Sequence, residues 1–277
     1  MHEAERGKTV RAIARAGDPD RALSALFAPR DARADLFALY AFNVELARIA
    51  EQVSEPDLGA IKLQWWRDAV DQAASGETTG HPVADAFGEA VRRRALSADR
   101  IAALLDARQF DIARESMADL PSLEVYLRDA AGNLFVLAAC ILGARAGAVE
   151  PAARAAGLAY GLTGVMRAMP VHAASGRLYL PADALRRHGT APEQVLAGKT
   201  SQGLDEALAE FRAMAREALD EAERHVAKLE APARTALLPL SLVDPYLAAL
   251  EKIGRDPLRD ITGINPLYRL WRLARAA

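Results

Sequence analysis

The longest regular hydrophobic pattern in the chain lies between Leu204 and Glu230, and it constrains the fold more than any other feature. Apolar residues recur there every three or four positions, at Leu204, Leu208, Phe211, Ala215, Leu219, Ala222, Val226 and Leu229. This spacing places them on one face of an α-helix. At ~1.5 Å per residue the predicted helix is about 40 Å long. A helix of that length spans a whole domain and needs neighbours of similar length.

Other parts of the chain are also helical in character, because alanine, leucine, arginine and glutamate dominate them. Helices are predicted at 31–53, 58–74, 82–94, 98–114, 123–141, 152–169 and 239–253. Runs of β-branched residues with alternating polarity, which would indicate strands, do not occur. The sequence therefore predicts an all-α bundle. Since no linker is long enough to divide the chain, residues 1–277 are predicted to form a single domain.

Composition excludes several classes of function. The 35 Lys and Arg residues nearly balance the 37 Asp and Glu residues, and a net charge of −2 favours no nucleic-acid partner. One cysteine, Cys140, cannot form a disulfide framework and favours a reducing compartment. No stretch approaches the ~18–20 apolar residues of a membrane-spanning helix, and the N-terminus has no apolar signal sequence. These features predict a cytoplasmic protein.

Short sequence blocks in a fixed order connect the chain to a known family. They are Ala38–Phe42, Trp66-Arg67, His81–Val83, Tyr126, Ala131-Gly132, Gly176–Pro181, Leu238-Pro239, Tyr246-Leu247 and Asp256–Leu258. Taken in this order, they resemble the squalene/phytoene synthases over nearly the whole chain. The resemblance implies an isoprenoid-synthase helical bundle. In that family, prenyl diphosphates are joined head to head with Mg²⁺ stabilising the diphosphate that leaves.

The family's metal ligands are largely missing from this chain. The family carries two aspartate-rich motifs on facing helices, and the positions of the first are Ala47, Arg48 and Glu51 here. The second motif aligns with residues 161–172, where Arg167 persists, the family's oxygen ligands are gone and the last acid is replaced by His172. One carboxylate cannot assemble the metal cluster. The resemblance therefore implies a non-catalytic protein with no catalytic residue, no metal and no cofactor.

Two segments resemble one branch of the family, complex I assembly factor 6. These are the Phe-Asn-x-Glu-Leu-Ala sequence from Phe42 and the Arg-Ala-x-Pro-x-His sequence from Arg167. This resemblance implies protein partners, namely subunits or assembly intermediates of respiratory complex I. It also implies peripheral contact with the inner face of the cytoplasmic membrane, in a bacterial counterpart of that branch.

The inherited site is expected to bind a ligand through Glu45, Arg48, Glu51, Arg167, His172, Arg177 and Tyr179. Arg167 and Arg177 suit a prenyl diphosphate or an anionic lipid and equally suit buried ion pairs. His172 is a candidate base, but a structural role after Pro170 is favoured. Two alternative functions remain open: a Mg²⁺-dependent prenyl transferase with displaced ligands (Glu45, Glu51 and Asp31), and an isoprenoid or lipid carrier. Asp31 and Asp35 imitate a metal motif but fall on a different helical face from position 47.

Overall fold

The computed structural model describes residues 3–53, 55–113 and 115–277. Within these ranges the regular structure is helical and no strand occurs. The α-helices, numbered in chain order, are α1 (Glu3–Gly17), α2 (Pro19–Ser24), α3 (Arg30–Gln52), α4 (Pro56–Ser75), α5 (Pro82–Arg94), α6 (Ala98–Ala113), α7 (Leu120–Leu127), α8 (Asn133–Ile141), α9 (Ala146–Ala174), α10 (Ala182–Arg187), α11 (Pro192–Leu196), α12 (Gln202–Val226), α13 (Ala231–Ala236), α14 (Val243–Leu250) and α15 (Pro266–Ala276). Short 3₁₀ turns cover Ala25–Phe27 and Leu238–Leu242, and a π-helical segment covers Arg128–Gly132. The all-α prediction is confirmed.

Three long helices form the frame of the bundle. The predicted amphipathic helix is α12, and its apolar stripe packs along α9, which has 29 residues. The third long helix, α3, is buried along most of its length, with Leu39 and Phe42 fully enclosed. One continuous core of buried side chains runs through the bundle. Long helices of similar length therefore surround a shared interior, as the stripe of α12 requires.

Taking prolines as helix boundaries predicted the limits of α9 poorly. Both Pro151 and Pro170 lie inside this helix, although a break was expected at each of them. An interior proline removes one backbone donor and costs roughly 3 kcal/mol. The helix nevertheless continues past Pro170 to Ala174, with Met169 and Ala173 buried on either side of the proline. His172 consequently lies in the last helical turn of α9 and not in a turn that follows the helix.

Other predicted boundaries differ in smaller ways. The helix expected at 123–141 is interrupted by the π-helical segment, which separates α7 from α8. The helix expected at 98–114 is α6, and Arg114 lies outside the described residues. The predicted 239–253 helix begins as a 3₁₀ turn and ends with α14. By contrast, α5 has the predicted limits, Pro82–Arg94, because proline fixes its start.

Two terminal helices complete the bundle. The first, α1, packs on α3 and α5, and the last, α15, packs on α2 and the Leu238–Leu242 turn. Among the described helices, none combines the length and the apolarity that crossing a bilayer requires.

Candidate ligand cavity

A cavity of about 240 Å³ lies between α3, α6, α7 and α9 and is closed on one side by the segment after α9. Its lining mixes buried cationic and phenolic side chains with small residues. The lining residues are Arg21, Asn43, Ala47, Glu51, Arg108, Asp111, Tyr126, Leu127, Ala130, Ala131, Leu134, Tyr160, Gly161, Gly164, Val165, His172, Arg177 and Tyr179. Four of the seven residues expected at the site are therefore brought together: Glu51, His172, Arg177 and Tyr179.

The helical period of α3 decides which of its residues reach the cavity. Asn43, Ala47 and Glu51 are four residues apart and share one face. Arg48 lies about 100° around the helix from Ala47 and Glu45 about 160°. Glu45 and Arg48, both expected at the site, are instead an ion pair outside it, with 3.4 Å between Oε1 and Nη1.

On α9, Arg167 lies outside the cavity. Gly161, Gly164 and His172 line the cavity, whereas Arg167 does not. Its guanidinium stacks on the Tyr246 ring, 3.4 Å from the ring centroid, and Nη1 is 3.6 Å from Oδ2 of buried Asp20. Arg167 therefore pairs with a buried acid and does not line the cavity.

Asp20 is the centre of a second buried cluster. The Tyr246 hydroxyl donates to the Asp20 carboxylate at 2.9 Å, and Arg269 Nε lies 2.8 Å from Oδ1. The Tyr160 hydroxyl donates to Oδ2 at 3.5 Å. These contacts join α2, α9, α14 and α15 through one carboxylate.

Asp111 organises the floor of the cavity. Its Oδ1 accepts from the hydroxyls of Tyr126 and Tyr179 at 2.8 and 2.7 Å, and its Oδ2 accepts from Arg108 Nη1 at 2.9 Å. Arg108 Nη2 in turn donates to Asn43 Oδ1 at 2.7 Å. Burial raises the pKa of both tyrosines well above the usual range, so both hydroxyls remain protonated donors. The network fixes α3, α6, α7 and the Tyr179 segment against each other.

Buried guanidinium groups give the cavity a positive lining. Arg21 is held by Asp18 at 2.9 Å and lies over the Tyr160 ring, yet its buried Nε and Nη2 have no hydrogen-bond partner among the described residues. Nε of Arg108 is also buried without a hydrogen-bond partner in the described part of the chain. Arg177, also buried, follows α9 at a turn in which its backbone N–H donates to the His172 carbonyl at 2.8 Å. Donors without acceptors in a buried site favour an anionic ligand.

His172 is a neutral group in this cavity. Burial, assisted by the Arg177 guanidinium, lowers the pKa of His172 to about 4, and the Asp111 carboxylate opposes the shift. The imidazole lies 4.5 Å from the Tyr179 ring, centroid to centroid, and its Nδ1 has no hydrogen-bond partner in the described part of the chain. The ring is therefore uncharged near pH 7.

Known proteins share the sequence pattern and the fold of this chain. The model of squalene/phytoene synthases matches residues 14–272. The chain belongs to that family. Among relatives, NADH dehydrogenase (ubiquinone) complex I, assembly factor 6 of Bos taurus is 29% identical over 244 residues, covering 88% of this chain and 73% of the relative. A phytoene synthase of Mycobacterium tuberculosis is 30% identical over 161 residues, covering 58% of this chain and 52% of that protein. The crystal structure of squalene synthase HpnC from Alicyclobacillus acidocaldarius superposes with a TM-score of 0.77 at 21% identity, covering 89% of this chain and 93% of that one, and shows the same fold.

The residues at the family's metal positions do not fit Mg²⁺. Of the aligned positions on α3 and α9, Glu51 alone is a carboxylate that lines the cavity. The other nearby acid, Asp111, already accepts three hydrogen bonds and lies against Arg108. In the described ranges, no group of three or more His, Cys, Asp or Glu side chains is placed to hold a metal ion. Mg²⁺ requires several hard oxygen ligands in octahedral geometry, which this cavity does not offer.

Three charged residues of the cavity were missed by sequence reasoning. Arg108 and Asp111 interrupt the apolar face that Leu104, Leu105 and Ile112 define on α6, and that i, i+3 pair of opposite charges was a usable signal. Arg21 gave no such signal, because α2 has six residues and no periodicity to show which side is buried.

Proposed function

We propose that this protein is a non-catalytic member of the squalene/phytoene synthase family that assists the assembly of respiratory complex I. It acts through contacts with complex I subunits or assembly intermediates, as a single domain spanning residues 1–277. It works in the cytoplasm and touches the inner face of the cytoplasmic membrane. Support comes from the similarity to complex I assembly factor 6 over most of the chain.

The proposal that the protein is non-catalytic is supported by the residue types at the positions of the family's metal ligands. Ionising a prenyl diphosphate concentrates charge on the leaving group, and that charge must be stabilised. Here Ala47, Ala168 and His172 stand at the family's acidic positions, and His172 is neutral because its pKa is about 4. Without a metal cluster the scaffold lacks the group that drives ionisation.

Two measurements test this function separately. The purified protein, incubated with Mg²⁺ and farnesyl or geranylgeranyl diphosphate, is expected to release no pyrophosphate, with an active phytoene synthase as the positive control. Measurable turnover would establish the alternative, a Mg²⁺-dependent prenyl transferase.

Deletion of the gene is expected to reduce mature complex I on native gels, and the wild-type gene should restore it. Unchanged complex I in the deletion strain would refute the assembly role.

A second candidate function, ligand binding, is favoured by the unpartnered donors of Arg21 and Arg108. The 240 Å³ cavity is smaller than the roughly 300–1,000 Å³ of most ligand pockets. It suits the head group of an anionic lipid or prenyl diphosphate better than a complete isoprenoid chain.

Calorimetry with pyrophosphate and with geranylgeranyl diphosphate, both without Mg²⁺, tests this candidate. Replacing Arg177, which lines the cavity, by Ala should weaken binding about tenfold, the cost of one charge-assisted hydrogen bond. The control Arg48→Ala alters a guanidinium outside the cavity and should leave affinity unchanged. Equal affinity in both variants, or no heat with either ligand, would exclude the cavity as a binding site.

A further inference from the structure

The C-terminal helix α15 packs on the protein through one side. Leu273 is fully buried among Leu238, Leu242 and Tyr246. Arg269 on the same side reaches Asp20, and Arg272 Nε donates to the Ser241 carbonyl at 3.0 Å. These contacts fix both the position and the rotation of the helix.

That rotation leaves an apolar stripe exposed on the opposite side. Leu267, Leu270 and Trp271 follow the i, i+3, i+4 spacing of one helix face and are 78%, 43% and 50% exposed. Tyr268 borders the stripe and stacks on Trp271, with 5.7 Å between ring centroids. Helix α15 buries one leucine and exposes two leucines and a tryptophan. An ordinary surface helix buries most of its large apolar side chains.

The charges around this stripe have one sign. Residues 266–276 contain three arginines and no acid. Arg275 lies over the Trp271 ring, with Cζ 5.5 Å from the centroid. At the end of the helix a groove lined by Ala276 also presents Arg30, Arg33 and Arg234, against a single acid, Glu223. Arg275 thus gives the stripe a cationic edge, and the groove at the helix end adds further positive charge, which together complement an anionic surface.

A second exposed apolar stripe provides a contrast. On α4, Leu58, Ile61 and Trp65 are exposed. The acids that accompany them, Glu55, Asp57 and Asp68, outnumber the neighbouring cation Lys62. An anionic surface would repel that face. Exposure of apolar side chains is therefore common to both helices, and the cationic edge distinguishes α15.

We infer that α15 is the element by which this protein lies on an anionic lipid bilayer. Leucine and tryptophan side chains enter the interfacial region, where tryptophan and tyrosine are favoured, and Arg275 at the edge of the stripe meets the lipid phosphates. The helix lies in the plane of the membrane and does not cross it. The inference rests on the membrane contact included in the proposed function and names the surface that makes it.

Vesicle co-sedimentation of the full chain tests the inference. Wild-type protein is expected to bind vesicles of phosphatidylcholine and phosphatidylglycerol in equal amounts, and not vesicles of phosphatidylcholine alone. The double variant Leu267→Ser, Trp271→Ser should bind vesicles at least about tenfold more weakly. Burial of even one large apolar side chain is expected to raise the affinity by about tenfold. Both side chains are exposed, so folding, checked by circular dichroism, should be retained. Leu58→Ser, Ile61→Ser is the matched control and should bind like the wild type.

Each other outcome counts against the inference. Absence of wild-type binding to the mixed vesicles, or equal losses in the α15 and α4 variants, would overturn it. So would a concentration-dependent dimer, seen by sedimentation velocity, that disappears in the α15 variant without any vesicle binding, because the stripe would then face a second copy. The assembly role is judged independently, by complex I in the deletion strain, so either proposal can fail without the other.

Discussion

His172 couples the stability of the fold to pH. Its imidazole lies in the last turn of α9 beside Tyr179, and the depressed pKa of about 4 compares with 6.5 for a free histidine. The unfolded chain therefore takes up a proton at a pH where the folded chain does not. The contribution to stability is complete above pH 6.5 and is lost as the pH falls toward 4.

Replacing His172 by Asn should remove this pH dependence. Between pH 7.5 and pH 5 the wild type should lose about 2 kcal/mol of unfolding free energy that the variant does not lose, from the two pKa values. Urea unfolding at both pH values measures the difference. His225→Asn, at a partly exposed position near the end of α12, is the control and should follow the wild type. Parallel losses in wild type and His172→Asn would show that His172 is not the titrating group.

At the scale of elements, the π-helical segment Arg128–Gly132 shapes the cavity. It lies against α9, where a Cβ at Gly157 would be 2.8 Å from the Gly132 backbone. The close approach brings Ala130 and Ala131 into the cavity lining. A π-helical turn in a helix often marks a functional site, and here it contributes small residues beside Gly161 and Gly164.

Two glycines of α9 give opposite predictions for the same substitution. Gly157→Ala should destabilise the protein by about 1–3 kcal/mol, because the new methyl group meets backbone atoms that cannot move independently. Gly164→Ala should be neutral or stabilise by up to about 1 kcal/mol, because that methyl group enters open space and alanine favours helix. Thermal unfolding of both variants decides. A Gly157→Ala protein as stable as Gly164→Ala would contradict the close approach.

At the scale of the whole molecule, two buried polar networks hold the helices of the squalene/phytoene synthase fold together. The buried network centred on Asp111 connects α3, α6, α7 and the Tyr179 segment, and the network centred on Asp20 connects α2, α9, α14 and α15. Side-chain contacts of the protein itself therefore hold each of these groups of helices together, and we predict that Mg²⁺ adds no stability.

Consequently, Mg²⁺ should not alter the melting temperature. An ion at 100 times its Kd stabilises a protein by about 2.7 kcal/mol, which raises Tm by roughly 5 °C or more at this size. Calorimetric scans in Mg²⁺ and in EDTA should agree within about 1 °C. A Mg²⁺-dependent phytoene synthase, scanned in parallel, should show the rise. An equal rise in this protein would mean that a metal site remains.

Sequence reasoning reached the fold and part of the cavity. The stripe of α12 and the proline start of α5 are local signals and were found correctly. Family resemblance aligned Glu51 and His172 with the site, and helical period then placed them in the cavity. Arg167 illustrates the limit, since its position in the motif says nothing about Asp20, which lies far away in the chain. The exposed face of α15 also gave no signal, because a helix is predicted from its buried side.

The Asp20 cluster has a consequence for the order of events during synthesis. Tyr246 lies 226 residues after Asp20, and Arg269 follows later still. A nascent chain grows at ~5–20 residues per second. More than about ten seconds therefore pass between the synthesis of Asp20 and the synthesis of Tyr246 and Arg269. Until then, α2 has no way to bury this acid against a cation from α15. Helix α15 therefore joins the bundle late, and premature termination before Arg269 would leave Arg167 as the cation beside the buried Asp20 carboxylate.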